Sequence, residues 1–201
     1  MLIPDKKLKL HSSDIKDMFI TNDIFITCSR DNKITISTKD TYKERIFNYG
    51  YLNTLDYSND IIYIGTQSGF IILYNILTDK EYSYKVHNDN ISVLKVNSDT
   101  IITGSWDNSL KVFNINNLNE SIFEDNVKGS VLSISLYKTG FIVGLETGAI
   151  NFYKRENNKY FYSHSLLIHN HPIRDLFTNE SVIHSIAHSL IKSNDKCIIE
   201  Y

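Results

Sequence analysis

A frame of hydrophobic and polar positions recurs five times along the chain. A short apolar run ends in a small residue, a polar turn follows, and a second apolar run ends in an aromatic or its replacement. The third copy, residues 100–114, reads TIITGSWDNSLKVFN; the frame also fits DIFITCSRDNKITIST, IIYIGTQSGFIILYN, GFIVGLETGAINFYK and SVIHSIAHSLIKSN. Its turn position holds Asp31, Ser68, Asp107, Thr147 and His188, at steps of 37, 39, 40 and 41 residues. Two strand-like runs per unit, repeated at such a period, mark a four-stranded blade set around an axis. The chain is therefore predicted to be all-β: a propeller of about five four-stranded blades in a single domain over 1–201. Its units fall near 11–48, 49–86, 87–126, 127–166 and 167–201.

Within each unit the first run, at 15–21, 52–57, 91–96, 131–137 and 173–177, alternates in part and is predicted to be the innermost strand. The second run, at 24–27, 61–64, 101–103, 141–143 and 182–186, is continuously apolar, as expected of a strand buried on both faces between blades. A third strand ends each motif. Polar or short segments near 45–48, 81–85, 121–124, 160–164 and 197–201 are predicted as outer strands, where charge protects an edge. Asp31-Asn32, Ser68-Gly69, Asp107-Asn108 and Thr147-Gly148 suit the tight hairpin between second and third strands.

Composition narrows the function. The chain has 201 residues, 42% hydrophobic and 22% charged, with a formal net charge of -2. That balance gives no basic face for phosphates, so nucleic acid is not expected as a partner. No run has the length of a signal peptide or a membrane span, so the chain is expected to be off the membrane and cytoplasmic, possible in the nucleus as well. Cys28 and Cys197 read as buried thiols. His169, His171, His184 and His188 lack acidic or thiol partners at metal-ligand spacing, so no metal or other cofactor is expected. Nothing pairs a nucleophile with a base, and no enzymatic activity is expected.

The unit resembles the WD repeat, which carries a hydrogen-bonded set of a His before the inner strand, a Ser or Thr on the second strand, an Asp in the hairpin and a Trp on the third. The third unit matches best, with His87, Thr103 or Ser105, Asp107, and Phe113 at the Trp place. The first has His11 and Asp31 but Ser37 at the aromatic position; the second has Ser68 and Tyr74, the fourth Thr147 and Tyr153, and the fifth His169. The Trp106-Asp107 dipeptide lies in the hairpin and is not the pair that names the repeat.

Four further stretches resemble the phospholipase-activating protein (PLAA) family. They are Leu10-His11 with Asp14-Ile15-Lys16-Asp17 and Ser29-Arg30-Asp31-Asn32; Gly50-Tyr51-Leu52-Asn53; Gly104-Ser105-Trp106-Asp107; and Ile168-His169-Asn170 with Ile173-Arg174. The resemblance implies a non-catalytic adaptor whose propeller binds ubiquitin on one ring face, in ubiquitin-dependent protein turnover. Family members have seven blades and a helical-repeat module that grips a segregase. That module has no counterpart in these five units, so segregase binding is not carried over. The alternative is a scaffold subunit of a larger assembly, of the ribosome-biogenesis or trafficking type, without ubiquitin binding.

The expected binding face gathers the turn residues Arg30, Gln67, Trp106, Glu146 and His188, with Asp14, Leu52, Asn90, Ser130 and Pro172 near the axis. Trp106 leads, because a Trp at a hairpin tip is the residue type that most often anchors an interface. Five blades standing open would leave two sheet faces wet, forfeiting roughly 2 kcal/mol per large side chain. A closed or nearly closed ring is therefore expected, with residues 6–10 latching the last blade and 197–201 competing for the same edge.

Overall fold

The computed structural model describes residues 9–179 and 182–187 and the backbone of 196–200. All of its regular structure is β. Blade 1 is the antiparallel sheet β1 (Ile15–Ile20), β2 (Ile24–Ser29), β3 (Lys33–Thr38) and β4 (Tyr42–Ile46). Blade 2 is β5 (Leu52–Ser58), β6 (Ile61–Thr66), β7 (Phe70–Asn75) and β8 (Glu81–Lys85). Blade 3 is β9 (Ile91–Val96), β10 (Thr100–Ser105), β11 (Ser109–Asn114) and β12 (Asn117–Asn126). Blade 4 is β13 (Val131–Tyr137), β14 (Gly140–Leu145), β15 (Ala149–Glu156) and β16 (Lys159–Leu167). Blade 5 is β17 (Ile173–Thr178), β18 (Val182–Ala187) and β19 (Lys196–Glu200). The segment expected as the outermost strand of the fifth unit is thus its third among the described residues, since Cys197 pairs with Ser185 of β18.

The second strands of blades 1 to 4 are buried on both faces, as their continuous apolar runs require; β6 and β10 are buried almost throughout. Among the described residues, the hairpins from second to third strand of blades 1 to 4 turn through a left-handed residue at Asn32, Gly69, Asn108 and Gly148. Gly69 has no alternative there, because a Cβ would stand 2.2 Å from the His87 carbonyl oxygen.

Among the described residues four apolar cores hold the blades together, and each lies between successive blades. One joins Ile26 and Ile34 to Leu52 and Tyr74; the next joins Tyr63 and Ile71 to Ile91 and Phe113. The third joins Leu110 and Val112 to Val131 and Phe141, and the fourth joins Ile142 and Phe152 to Ile173 and Ile183. Each interface has a knob and a socket. The first residue of an inner strand presses into the preceding second strand at a position that must be small: a Cβ on Gly65 would lie 2.7 Å from Ile91, on Gly104 2.1 Å from Val131, and on Gly144 2.7 Å from Ile173. In blade 1 the socket position is Cys28, fully buried in the core that also contains Leu52.

Among the described residues this seam is missing between blades 5 and 1, so of the closed or nearly closed ring expected, the described blades form an arc with an opening there, although Lys16 of blade 1 and Arg174 of blade 5 line one cavity. Ile15 begins β1 just as Ile91 begins β9, yet Ile15 is 48% exposed and Ile91 0%. Met18, Ile20, Tyr42 and Ile46 are also exposed, and their alternation in β1 and β4 puts them on the same unpartnered face of blade 1. On blade 5, Phe177 and Ile186 are exposed in turn. Ile186 occupies the socket position held in the other blades by Cys28, Gly65, Gly104 and Gly144. Residues 6–8 of the expected latch lie outside the described residues.

Candidate functional site at the channel mouth

One backbone hydrogen bond recurs in four blades and builds the face. The N–H of the first hairpin residue donates to the carbonyl just before the inner strand: Arg30 to Asp14 (3.1 Å), Gln67 to Tyr51 (2.8 Å), Trp106 to Asn90 (3.0 Å) and Glu146 to Ser130 (2.9 Å). The hairpin tips and inner-strand approaches are thereby clamped together on one side of the arc. Of the residues expected on this face, Arg30, Gln67, Trp106, Glu146, Asp14, Asn90 and Ser130 lie on it. His188 falls outside the described residues.

Leu52 does not lie on the face: it is fully buried, as the knob between blades 1 and 2. Tyr51, 46% exposed, holds the position in its place. Asn90 is largely buried and accepts a hydrogen bond from the Asn53 amide. Trp106 is 50% exposed at its tip. Arg30 and Asp14 form a loose, solvent-exposed ion pair at 3.6 Å, worth little by itself. Glu146 accepts from the Ser130 hydroxyl at 2.9 Å.

One position further along each inner strand stands a second ring: Lys16, Asn53, Ser92, Leu132 and Arg174. These five line both a mouth cavity of about 310 Å³ and a larger cavity of about 570 Å³ that continues inward. Arg30, Tyr51, Gln67, Asn90 and Trp106 complete the mouth. Sequence reasoning missed this ring. Its signal was the residue after each knob, at a constant offset from the repeat.

The expected hydrogen-bond set lies behind the hairpins and stiffens them. In blade 3, His87 Nε2 bonds Thr103 Oγ1 at 2.8 Å, and its Nδ1 faces Ser109 Oγ at 2.7 Å and Asp107 at 3.3 Å. Asp107 accepts from the Asn88 and Ser109 N–H groups, while the Ser105 hydroxyl accepts from the Asp107 N–H. Both Thr103 and Ser105 therefore serve, in different roles. Burial pushes the His87 imidazole down to about 4. Burial also pushes Asp107 up, but hydrogen bonds from Ser109 and Asn88 outweigh it and leave the carboxyl at about 2. In blade 1, His11 bridges Thr27 (2.6 Å) and Asp31 (3.1 Å), and Thr27 passes the chain on to Thr35. In blade 5, His169 Nε2 bonds Ser185 at 2.8 Å. Blade 4 places apolar Val127 where blades 1, 3 and 5 have His, and packs it into the core. The chemistry available at the mouth is recognition by charge, amide and aromatic surface. Among the described residues, no group of three or more His, Cys, Asp or Glu side chains is placed to hold a metal ion.

Residues 79–114, which hold His87, Thr103, Ser105 and Asp107, match the family WD domain, G-beta repeat. No curated protein matches the chain. Among solved structures, the chain is similar to the computationally designed Ika8 protein, with TM-score 0.80 and 17% identity over 95% of this chain and 59% of that one. It is similar to the WD40 β-propeller domain of Doa1, with TM-score 0.77 and 20% identity over 90% of this chain and 64% of that one. For U3-55K the TM-score is 0.83 at 11% identity, over 95% of this chain and 69% of that one. The chain spans less than two thirds of the first two structures. At these identities the likeness is one of fold: the chain is built as a WD40 β-propeller, with a WD repeat recognisable at residues 79–114.

Proposed function

We propose that the chain is a non-catalytic protein-interaction adaptor that holds a protein partner against the channel mouth, and that this partner is ubiquitin. The observation that carries the reading is Trp106, half exposed at the tip of a hairpin whose base is fixed by the His87 network. An aromatic held rigidly at a surface contributes contact area at low entropic cost, and such residues dominate interfaces. Ubiquitin is supported by the PLAA-like stretches, two of which, Ser29-Arg30-Asp31-Asn32 and Gly104-Ser105-Trp106-Asp107, form rim hairpins. The test is titration of isotope-labelled ubiquitin with the intact chain. Saturable shifts that are lost with Trp106→Ala, while the variant's thermal melt is unchanged, are expected; flat spectra at high concentrations of the chain refute the ubiquitin assignment.

A second reading has its own observation. The unpartnered faces of blades 1 and 5, with Ile15, Met18 and Ile20 on one and Phe177 and Ile186 on the other, favour a scaffold subunit held through its ends. Purification in a stoichiometric complex that survives Trp106→Ala but not Met18→Asp supports this reading over the first.

A further inference from the structure

We propose that the channel mouth is a carboxylate-reading socket, and that what it takes from its protein partner is an extended acidic peptide segment reaching Lys16, Arg30 and Arg174. The proposal rests on the reading that a partner sits on the channel face, and holds whether or not that partner is ubiquitin.

The mouth cavity is lined by three cations and no carboxylate. Lys16 and Arg174 are exposed, and among the described residues neither has an ion-pair partner. Arg30 has only the loose contact to Asp14. The neighbouring acids are turned to other work. Asp17 accepts from the Thr54 hydroxyl and the Leu55 N–H, both at 2.9 Å, across the seam to blade 2. Asp175 lines only the inner cavity, and its carboxylate caps the Leu176 N–H. Glu146 is bonded to Ser130 and does not line the mouth.

Shape selects a peptide. A cavity of about 310 Å³ admits a few residues of extended chain, and Asn53, Gln67 and Ser92 offer amide and hydroxyl groups to its backbone. Tyr51 and Trp106 flank it with aromatic surface suited to an apolar side chain between the acids. The cations also have a particular place: Lys16 and Arg30 belong to blade 1 and Arg174 to blade 5, the two ends of the arc. An acidic segment lying across the mouth therefore bridges the opening, and its binding should raise the melting temperature.

The test uses the intact chain and three labelled peptides of one length: leucine flanked by glutamates, the same with glutamines, and the glutamine peptide carrying phosphoserine. The acidic peptide is expected to bind at least about tenfold more tightly than the glutamine one, with the difference shrinking in high salt. Lys16→Gln and Arg174→Gln, both at exposed positions, are each expected to weaken it about fivefold. Equal affinity for the acidic and glutamine peptides, unchanged affinity in both variants, or binding of the phosphoserine peptide alone overturns the proposal. So does the absence of peptide binding by a chain that still binds ubiquitin, which leaves the channel-face reading standing. A chain that binds neither takes down both.

Discussion

Three isoleucines occupy equivalent positions at the start of an inner strand, and truncating each to alanine tests the open arc from within. Ile91 and Ile173 are fully buried, each seated against a socket glycine of the preceding blade, whereas Ile15 is 48% exposed. Ile→Ala removes three carbons, and at about 0.8 kcal/mol per buried CH₂ the transfer loss alone is about 2.4 kcal/mol. A cavity term adds to this, because sheets held by flanking blades relax only partly, so Ile91→Ala and Ile173→Ala should cost about 2–5 kcal/mol. For Ile15 about half the surface is already wet and no cavity forms, so Ile15→Ala should cost about 1 kcal/mol. Urea unfolding followed by far-UV circular dichroism measures the three side by side, with the slope of each transition checked for constancy. If Ile15→Ala is as damaging as Ile91→Ala, the first blade is covered in solution and the open arc is wrong.

Other consequences are equally direct. Gly104→Ala should lower stability by about 1–3 kcal/mol in thermal melts, because its Cβ would stand 2.1 Å from Val131 at the tightest of the seams. The folded-state pKa of His87 lies below its unfolded value, so its contribution is complete above about pH 6.5 and is lost as the pH falls towards 4; this amounts to about 3 kcal/mol across that window. Asp107, also depressed, extends the loss from about pH 4 towards 2, and His87→Gln should flatten the upper part of the profile in urea titrations at successive pH values. Asp107→Ala leaves the Asn88 and Ser109 N–H groups without their acceptor and should cost about 2–3 kcal/mol, while Glu146→Ala, in the matching hairpin of blade 4, should stay within about 0.5 kcal/mol by the same denaturation assay.

The sequence exposes the architecture because a propeller repeats one local decision. Continuous apolar runs mark β2, β6, β10, β14 and β18, and the hairpins are announced by Asn32, Gly69, Asn108 and Gly148. The outer strands are read less well. β12 and β16 run to ten and nine residues, well beyond the segments 121–124 and 160–164, because polar edges carry no period. Leu52 was misplaced by one residue for a specific reason. The register slips between Leu52 and Thr54, as it does between Ile15 and Asp17 and between Val131 and Ser133. That bulge turns the first residue of the strand into the seam, so strict alternation puts the wrong side chain on the face. Lys16 and Arg174, quoted only for the family resemblance, are not placed on the face for the same reason, since each follows a knob whose direction the alternation does not give. Closure was beyond reach for a different reason. It depends on how the first and last blades meet, and the local period of apolar and polar residues that marks each blade does not encode that.

Whether a partner is held at the channel mouth is settled by placing a benzophenone photocrosslinker at single positions of the chain in its native cell. Gln67 on the rim, Tyr82 on the outer strand of blade 2 and Ile46 on the open face of blade 1 serve as the three sites. A discrete protein adduct is expected from Gln67, abolished by Trp106→Ala, and none from Tyr82 or Ile46. Adducts from Ile46 with none from Gln67 would contradict it.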